Sequence, residues 1–570
     1  MKSKSKIFNP LLVAVAALLA ASIVLGRVWT VLPKVLGDEL IYSMDARHLT
    51  TTQSLVPNYL FNALFGATNL CGYGFYQCGK VINLLMLFAL GAVIYLTARL
   101  LASPRVSLWI AALTILGPIS AYVSYFTPDV MYFLAAAVAI YFQISQNEKS
   151  VWWNWALLGA GVGLAALIKP HALFLVVPAV AFIVYLSFRN GSRRFSWAAI
   201  SSGAFAVPVF VVKLGLGFLF AGKAGLVLFG AAYDSSAQNV VNNKAATIVP
   251  ALQVVTNVDP NSASAHSWSF SNPVWLLSAG FSGLLHLAFL VAIFAVPIMA
   301  GFAKSDSEKI PLPEVYHRLR FVVLANLATM SLVSAAYVVF SKSWGENLDN
   351  RVMVRYYEFA LVFLPILITP FLTRSAKFPN VAKWSVGVVS LGLILFVLPF
   401  FQGTVPAMYT DSSLIAALQT SGIGIFVIAL AGWGLLLWWF SNYNLGSKVW
   451  LFGFAPAVIL IFSFSSYLNM TVQSSYVGPY TQASQWAHNH LTTEQKSSLV
   501  IYGNPATKVQ AAQLWVDSVG ATGRVAAQNA VADVTGLKSG TYILLIGPVV
   551  APQQATLIHK EVNFQVLVLK

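Results

Sequence analysis

Charged residues are scarce in this chain. They make up 9% of its 570 residues, whereas hydrophobic residues make up 58%, and an average soluble chain carries about 25% charged residues. So few charges cannot cover the surface of a water-soluble protein of this size, which excludes a soluble enzyme. The formal net charge of +16 does not indicate a nucleic-acid partner, because many Lys and Arg lie in short loops between apolar runs.

Cysteine is almost absent as well. The chain has two, Cys71 and Cys78, in a polar segment that we expect outside the cytoplasm, where thiols are oxidised. A disulfide between them is favoured over two free thiols. The sequence also lacks an internal repeat, the inverted pair of broken helices found in many transporters, and a clear cluster of His and carboxylates. No cofactor is therefore required, although a divalent metal is possible.

Long apolar runs fill most of the chain instead. Most have roughly 18 to 25 residues, the length that crosses about 30 Å of hydrocarbon. They predict an all-α polytopic membrane protein with about thirteen transmembrane helices. The predicted spans lie near residues 11–32, 81–101, 106–126, 129–144, 152–168, 171–188, 196–216, 272–300, 320–341, 356–373, 383–402, 421–440 and 449–467.

Flanking charges predict the topology. A basic leader precedes the first span, which places the N-terminus in the cytoplasm and the protein in the cytoplasmic (inner) membrane. An odd number of spans then leaves the C-terminus outside. Residues 1–469 are predicted to form the transmembrane domain, and residues 470–570, where helix-like and strand-like segments alternate, a soluble extracytoplasmic α/β domain. Function is expected in the long outer loops, which are residues 33–80, 217–271, 342–355 and 403–420.

Acidic residues stand at two outer helix ends. Asp38 and Glu39 directly follow the first span, and such a pair can deprotonate a hydroxyl, orient it or hold a divalent cation. Two solvated loop acids are the alternative. Asp129 follows Thr127-Pro128 at the outer start of the fourth span, where Thr127 or Asp129 could simply cap the helix.

A basic residue interrupts the apolar stretch 151–188, in the sequence Lys169-Pro170-His171. Basic residues at both ends of the stretch predict a hairpin whose tip lies near the outer membrane surface. A charge at that depth is costly and usually has a partner, unless it snorkels to the interface. The first arm is rich in small residues, which permit close helix packing.

Two arginines, Arg351 and Arg355, stand four residues apart before the tenth span, and Tyr356 follows. If this segment is helical, both guanidinium groups share a face and could hold a phosphate. An interfacial anchor of Arg and aromatic residues is the alternative.

The joint order of these residues resembles the GT-C superfamily of membrane glycosyltransferases, of the aminoarabinose transferase and protein mannosyltransferase type. The resemblance covers most of residues 1–373 by pattern, and the remainder by architecture. It implies that Asp38 and Glu39 occupy the position of the catalytic carboxylate and that Asp129 occupies a second acidic position. It also implies that Lys169 lies near the phosphate of a lipid donor.

The function expected from this resemblance is inverting transfer of a sugar from a polyprenyl-phosphate donor to a lipid, glycan or protein acceptor on the outer side. Asp38 would be the general base, with Glu39 as its partner or alternate. The expected substrate-binding residues are Asp129, Lys169, His171, Arg351, Arg355 and Tyr356. A transporter or flippase for a lipid-linked or anionic substrate is the alternative, and it would need ionisable residues along a path through the membrane. An O-antigen-type polymerase or ligase is a third possibility.

Overall fold

The computed structural model describes residues 10–33, 36–189, 195–229, 273–305, 311–342, 353–399 and 422–570. The described residues are mostly helical (74%), with a small sheet at the C-terminal end, as the sequence predicts. The α-helices are Pro10–Val28, Leu36–Arg47, Tyr59–Gly66, Phe75–Arg99, Pro104–Leu116, Asp129–Ser145, Trp152–Ile168, Val176–Arg189, Phe195–Ala221, Pro273–Phe302, Glu314–Lys342, Glu358–Leu361, Leu364–Ile368, Asn380–Gly392, Gly422–Ser441, Tyr443–Val449, Ala455–His490, Thr493–Ser497 and Ala506–Val516.

Many of these helices have the length and composition of membrane spans. Among the described residues, eight are long and apolar enough to cross a membrane, and a bent pair of helices is a ninth candidate. Four further apolar helices are shorter. The protein is therefore a multi-pass membrane protein, while the number thirteen stays a prediction.

The third predicted span is the bent pair, with an angle of 46° between its halves. The bend lies at Gly117-Pro118, because proline has no N–H for the helix ladder and disfavours a helical conformation in the residue before it. The Leu116 carbonyl accepts a hydrogen bond from Arg27 (3.5 Å), whose guanidinium also donates to the Ser120 hydroxyl (2.6 Å). Arg27, at membrane depth in the first span, therefore stabilises this break.

The hairpin predicted over residues 151–188 is present. Its arms are the helices Trp152–Ile168 and Val176–Arg189, joined by the 3₁₀ turn Pro170–Leu175. Lys169 has an extended backbone (φ −148°, ψ 120°), the conformation that a following proline favours. The first helix of the hairpin therefore ends at Ile168, as the sequence predicts.

Small residues bring the first arm close to the helix Phe195–Ala221. A Cβ atom added at Gly159 would lie 2.0 Å from the Phe205 carbonyl oxygen, and one added at Gly163 would lie 2.7 Å from that of Val209. The predicted role of these glycines in close packing is confirmed. From the first contact to the second, the sequence advances by four residues in each helix, from Gly159 to Gly163 and from Phe205 to Val209. The two helices therefore run parallel.

The first outer loop contains more helix than a simple loop would. The helices Leu36–Arg47 and Tyr59–Gly66 precede the second span, which begins at Phe75 rather than near residue 81. Cys71 and Cys78 form a disulfide, so that prediction is confirmed.

The span predicted at 356–373 is not one continuous helix. It consists of the short helices Glu358–Leu361 and Leu364–Ile368 and the 3₁₀ turn Thr369–Leu372. Pro365 and Pro370 lie at the first turns of the last two pieces, where a missing N–H costs least. The prolines thus divide an apolar run that composition alone predicts as a single helix.

The C-terminal unit is a small α/β structure. The long helix Ala455–His490 enters it from the membrane region, so the boundary predicted at residue 470 falls inside a helix. The strand Val500–Gly503 pairs in parallel with both of its neighbours, whereas Phe564–Leu569 pairs antiparallel with both of its own. The sheet order is Thr522–Val525, Val500–Gly503, Tyr542–Ile546, Phe564–Leu569 and Ala555–Lys560.

This C-terminal unit contacts the first outer segment. Trp515 packs 5.5 Å from the Tyr76 ring and 5.8 Å from the Phe75 ring, between centroids. Asp517 accepts two hydrogen bonds from Arg47 (2.5 and 2.9 Å) and pairs with His48 (2.6 Å). Burial alone would raise the pKa of Asp517, but the bonds from His48 and Arg47 outweigh it and lower the pKa to about 2. The two regions therefore lie at the same end of the molecule.

Candidate functional site

The two adjacent acids of the first outer segment face different surroundings. Both lie in the first turn of the helix Leu36–Arg47, where neighbouring side chains point about 100° apart. The Asp38 side chain is 44% exposed and accepts a hydrogen bond from Arg355 (2.8 Å). Glu39 is fully buried and accepts bonds from the Tyr76 hydroxyl (2.7 Å) and the Phe126 amide (2.9 Å).

Asp129 is the centre of the buried charge cluster. One carboxylate oxygen accepts from Lys169 (2.6 Å), and Arg355 donates to both oxygens (2.9 and 2.6 Å). The Thr127 hydroxyl donates to the same carboxylate (2.6 Å). The helix Asp129–Ser145 has no side-chain N-cap bond, so helix capping is not the role of either residue. The two parallel hydrogen bonds from Arg355 fix the orientation of the Asp129 carboxylate and also compensate its charge.

Lys169 points into the protein rather than toward the interface. Its side chain is buried, and its ammonium lies 2.6 Å from Asp129 and 5.2 Å from the centre of the Tyr356 ring. The His171 ring lies 4.6 Å from that of Tyr356, between centroids. The hairpin tip therefore contributes a cation paired with Asp129 and a histidine ring that packs against Tyr356. The snorkelling alternative for Lys169 is wrong.

Arg355 is held by a short turn rather than by a helix face. It lies in the 3₁₀ turn Val354–Tyr356, and the preceding Met353 amide donates to His286 Nε2 (3.1 Å). His286 Nδ1 lies 2.8 Å from the Ser282 carbonyl oxygen, so this buried histidine bridges two backbone groups. Arg351 lies outside the described residues, and the predicted pairing of the two arginines on one face stays a prediction.

The cluster formed by Asp38, Asp129, Lys169 and Arg355 is electrically balanced. Two carboxylates and two cations meet although they come from four separate elements of the chain. A balanced set avoids the cost of an unpaired buried charge. Asp38, at its edge, remains partly exposed and can accept a proton from a bound hydroxyl. In the part of the chain that the structure describes, no group of three or more His, Cys, Asp and Glu side chains could hold a metal ion.

Lys80 is a structural residue that the sequence did not single out. Its ammonium donates to the carbonyl oxygens of Val28, Trp29 and Val31, each at 2.8 Å. These carbonyls lie at the end of the first helix, where they lack partners within the helix. Lys80 thereby fixes the chain just before Asp38. A lysine at the start of a span resembles an ordinary interfacial residue, so the sequence holds no signal for this role.

Asp45 is a second such residue. It is buried and accepts bonds from the Leu55 and Val56 amides (3.1 and 3.2 Å) and the Ser54 hydroxyl (2.9 Å). Burial raises the pKa of Asp45 to about 7, against the opposing effect of these hydrogen bonds. The spacing of Asp45 and Ser54 gives no local motif that would predict this contact.

Fold and site together define a multi-pass membrane protein with a carboxylate and cation cluster at one end of its helices. Residues 59–216 match the family model of dolichyl-phosphate-mannose-protein mannosyltransferases, a GT-C family of glycosyltransferases. The superfamily resemblance is thus confirmed, over a segment that includes Asp129, Lys169 and His171. No curated protein sequence matches the chain.

Two solved structures are distantly similar in fold. The oligosaccharyltransferase of Archaeoglobus fulgidus in its apo form is 10% identical, with a TM-score of 0.41, over 90% of this chain and 64% of that one. The arabinosyltransferase EmbB of Mycobacterium smegmatis is 13% identical, with a TM-score of 0.37, over 80% of this chain and 41% of that one. The chain spans less than two thirds of either protein. We draw no inference on activity from similarities at this level.

Proposed function

We propose that the protein is an inverting glycosyltransferase that moves a sugar from a polyprenyl-phosphate donor to an acceptor hydroxyl on the outer side of the cytoplasmic membrane. The observation that carries the proposal is the sharing of Arg355 between a half-exposed carboxylate, Asp38, and the buried Asp129–Lys169 pair. A proton acceptor and two cations therefore stand together at one end of the membrane helices.

Asp38 is the proposed general base. It takes the proton of the acceptor hydroxyl while that oxygen bonds to the anomeric carbon and the bond from this carbon to the phosphate oxygen breaks on the opposite face. The leaving phosphate keeps the electron pair, and the configuration of the sugar inverts. General-base catalysis of this kind contributes roughly 10²- to 10⁴-fold. The hydrogen bond from Arg355 (2.8 Å) orients the Asp38 carboxylate.

Lys169 and Arg355 are the proposed phosphate-binding groups. Charge develops on the departing phosphate in the transition state, and fixed cations in a site with little water stabilise it. The Lys169 ammonium has three N–H donors, and its bond to Asp129 uses one of them. Asp129 holds both cations in place before the donor arrives. His171 and Tyr356, which flank Lys169, are proposed donor contacts, and Arg351 is proposed as a further one.

Glu39 is the proposed positioning residue of the pair. Its bonds to Tyr76 and Phe126 tie the first turn of its helix to two other parts of the chain, so that Asp38 is directed toward Arg355. We assign the catalytic proton transfer to Asp38 because a base must reach the acceptor hydroxyl, and Glu39 has no exposed surface.

The proposal of a lipid donor is supported by the position of the cluster at the ends of apolar helices. A polyprenyl phosphate can remain between helices with its phosphate at the interface, and the basic residues at that depth then meet an anion. In this proposal the N-terminus is in the cytoplasm and the C-terminal unit is outside, as the flanking charges of the predicted spans indicate. The acceptor can be a lipid, a glycan or a protein.

A transporter or flippase is less consistent with the placement of the other ionisable residues. Arg27, Lys213 and His286 lie within membrane helices, as a transport path would require. Arg27 donates to the Leu116 carbonyl and the Ser120 hydroxyl, and His286 bonds with the Ser282 and Met353 backbone. These contacts stabilise breaks and turns of the scaffold.

Incubation of the purified full chain with a panel of polyprenyl-phosphate sugars tests the proposal. We expect release of polyprenyl phosphate with at least one donor, together with a product whose anomeric configuration is opposite to that of the donor by NMR. A donor that stays intact but crosses the bilayer in protein-containing vesicles would support the transporter instead.

A further inference from the structure

Lys213 is a buried cation that the site above does not use. It lies in the helix Phe195–Ala221, eight residues before the helix end, which corresponds to about 12 Å at 1.5 Å per residue. Its side chain is fully buried. None of the residues that the structure describes forms a hydrogen bond with its ammonium nitrogen.

The surroundings of Lys213 are aromatic and aliphatic. Its ammonium lies 5.5 Å from the centre of the Tyr59 ring, a cation–π contact that is weaker than an ion pair. Tyr59 packs in turn with Leu167 of the hairpin and with Leu216 and Phe220 of the same helix as Lys213. The ammonium is thus enclosed between three helices.

The depth of Lys213 follows from the parallel packing of two of these helices. Gly159 contacts Phe205, and Gly163 contacts Val209 and Val212. One further turn brings Leu167 to the level of Lys213. The ammonium therefore lies level with the end of the first hairpin arm, two residues before Lys169.

Other buried or partly buried cations of the membrane region have polar partners. Lys80 donates to three carbonyl oxygens, Arg27 to a carbonyl and a hydroxyl, and Lys169 to Asp129. A lone ammonium at membrane depth is expensive, and an ionisable residue there is a functional-site hypothesis by default. Lys213 is fully buried, so it does not reach the interface by snorkelling.

The opposite face of the same helix is open to lipid. Val207, Val211, Phe218 and Leu219 are 51% to 77% exposed along it, as expected for a helix at the edge of a membrane bundle. Anions that can reach this depth beside such a helix are the headgroups of lipids, and lysine binds phosphate as a compact point charge.

We propose that Lys213 forms a phosphate-binding subsite, separate from the Asp129 cluster, that takes the phosphate headgroup of a membrane lipid between the helices Tyr59–Gly66, Trp152–Ile168 and Phe195–Ala221. The headgroup supplies the counter-charge that the described protein residues do not. The subsite does not depend on the proposed glycosyl transfer, since its evidence is the unpaired cation and its enclosure.

Thermal unfolding of the full chain in a neutral detergent tests this subsite. The probes are a polyprenyl phosphate, phosphatidylglycerol and inorganic phosphate, each titrated against wild type, Lys213→Met and Lys223→Met. Lys223 is a matched control because it is an exposed lysine just beyond the end of the same helix. Without lipid, we expect Lys213→Met to be at least as stable as wild type, because the substitution removes an unpaired buried charge.

With lipid, we expect wild type and Lys223→Met to be stabilised equally, and the apparent Kd of Lys213→Met to be at least about tenfold larger, as loss of one charged contact implies. A loss for polyprenyl phosphate alone identifies a polyprenyl phosphate as the bound lipid, and a loss for phosphatidylglycerol identifies a bilayer phospholipid. An equal loss for inorganic phosphate identifies a free phosphate.

Unchanged affinities of Lys213→Met for all three probes would overturn the proposal. Should Lys213→Met fail to fold, Lys213→Arg takes its place: retained lipid affinity supports the subsite, and affinity lost in a folded Lys213→Arg protein contradicts a simple charge requirement. Failure of the glycosyl-transfer proposal is distinguishable, because it appears as absent turnover with every donor, whatever the lipid affinities of these variants.

Discussion

The two ends of the helix Leu36–Arg47 carry charge in opposite ways. At its first turn, Asp38 is 44% exposed and meets one cation, Arg355. At its last turn, Arg47 is buried, forms two bonds with Asp517 and lies 3.6 Å above the Phe75 ring. The charge that holds two parts of the chain together is enclosed, whereas the carboxylate that we propose as the general base is accessible.

The buried end also fixes the accessible one. Because Arg47 and His48 connect this helix to the C-terminal unit, the orientation of the helix, and hence of Asp38, depends on a contact some 470 residues away along the chain. The C-terminal unit therefore belongs to the framework of the site.

The largest expected effect follows removal of the central carboxylate of the cluster. Asp129→Asn leaves Lys169 and Arg355 buried without their shared partner, and breaking a buried ion pair costs about 3 to 5 kcal/mol. We expect the free energy of unfolding to fall by that amount in chemical denaturation. Asp533→Asn, at an exposed acid of the C-terminal unit, is the control and should change stability little. Equal stability of both variants would contradict the central role of Asp129.

A smaller effect is expected at the buried end of the helix Leu36–Arg47, where Arg47 lies. Arg47→Met keeps most of the apolar contact with Phe75 but removes the charge-assisted pair with Asp517. Because Asp517 keeps His48 as a partner, we expect a net loss of about 1.5 to 3 kcal/mol in the free energy of unfolding. Hydrogen exchange should accelerate in the helix Ala506–Val516, and turnover should fall although Asp38 is intact. A variant with faster exchange and full turnover would show that the contact does not position the site.

The smallest expected effect is a pH dependence caused by Asp45. Its pKa in the folded protein is about 7 and its ordinary value 3.8, so its contribution to stability is fully present below 3.8 and is lost as pH rises through 7. Between pH 5.5 and 8 we expect a loss of about 2 kcal/mol. Thermal unfolding at both values should show the drop in wild type and a smaller one in Asp45→Asn. If wild type and Asp45→Asn lose the same stability between the two pH values, groups other than Asp45 cause the pH dependence.

Elements set by local chemistry could be predicted from the sequence. The hairpin, its end at Ile168 before Lys169-Pro170, and the close packing at Gly159 and Gly163 follow from apolar length, proline and small residues. The small residues predict close packing without naming the helix that they contact, and the causes of the hairpin and of its helix end act within a few residues. The same holds for the disulfide, whose cysteines are seven residues apart.

Partners distant along the chain could not be predicted. Asp38 and Glu39 are adjacent acids that the sequence alone does not distinguish. Their surroundings differ because Arg355 donates to Asp38, whereas Tyr76 and Phe126 donate to Glu39. Asp129 was expected as one of several substrate-binding residues, and its place at the centre of the charge cluster depends in the same way on Lys169 and Arg355. Pairing of this kind is a property of the packed helices, and no local pattern encodes it.

The division between Asp38 and Glu39 is the most direct test of the account. Turnover and donor binding are measured separately for Asp38→Asn and Glu39→Gln, with a polyprenyl-phosphate sugar that the wild type uses. Asp38→Asn keeps the size of the side chain but removes its basicity, so turnover should fall by roughly a hundredfold or more with donor binding nearly unchanged. Glu39→Gln should lower the free energy of unfolding, and its turnover should fall less than that of Asp38→Asn. Near-normal turnover of Asp38→Asn would contradict the assignment of Asp38 as the base.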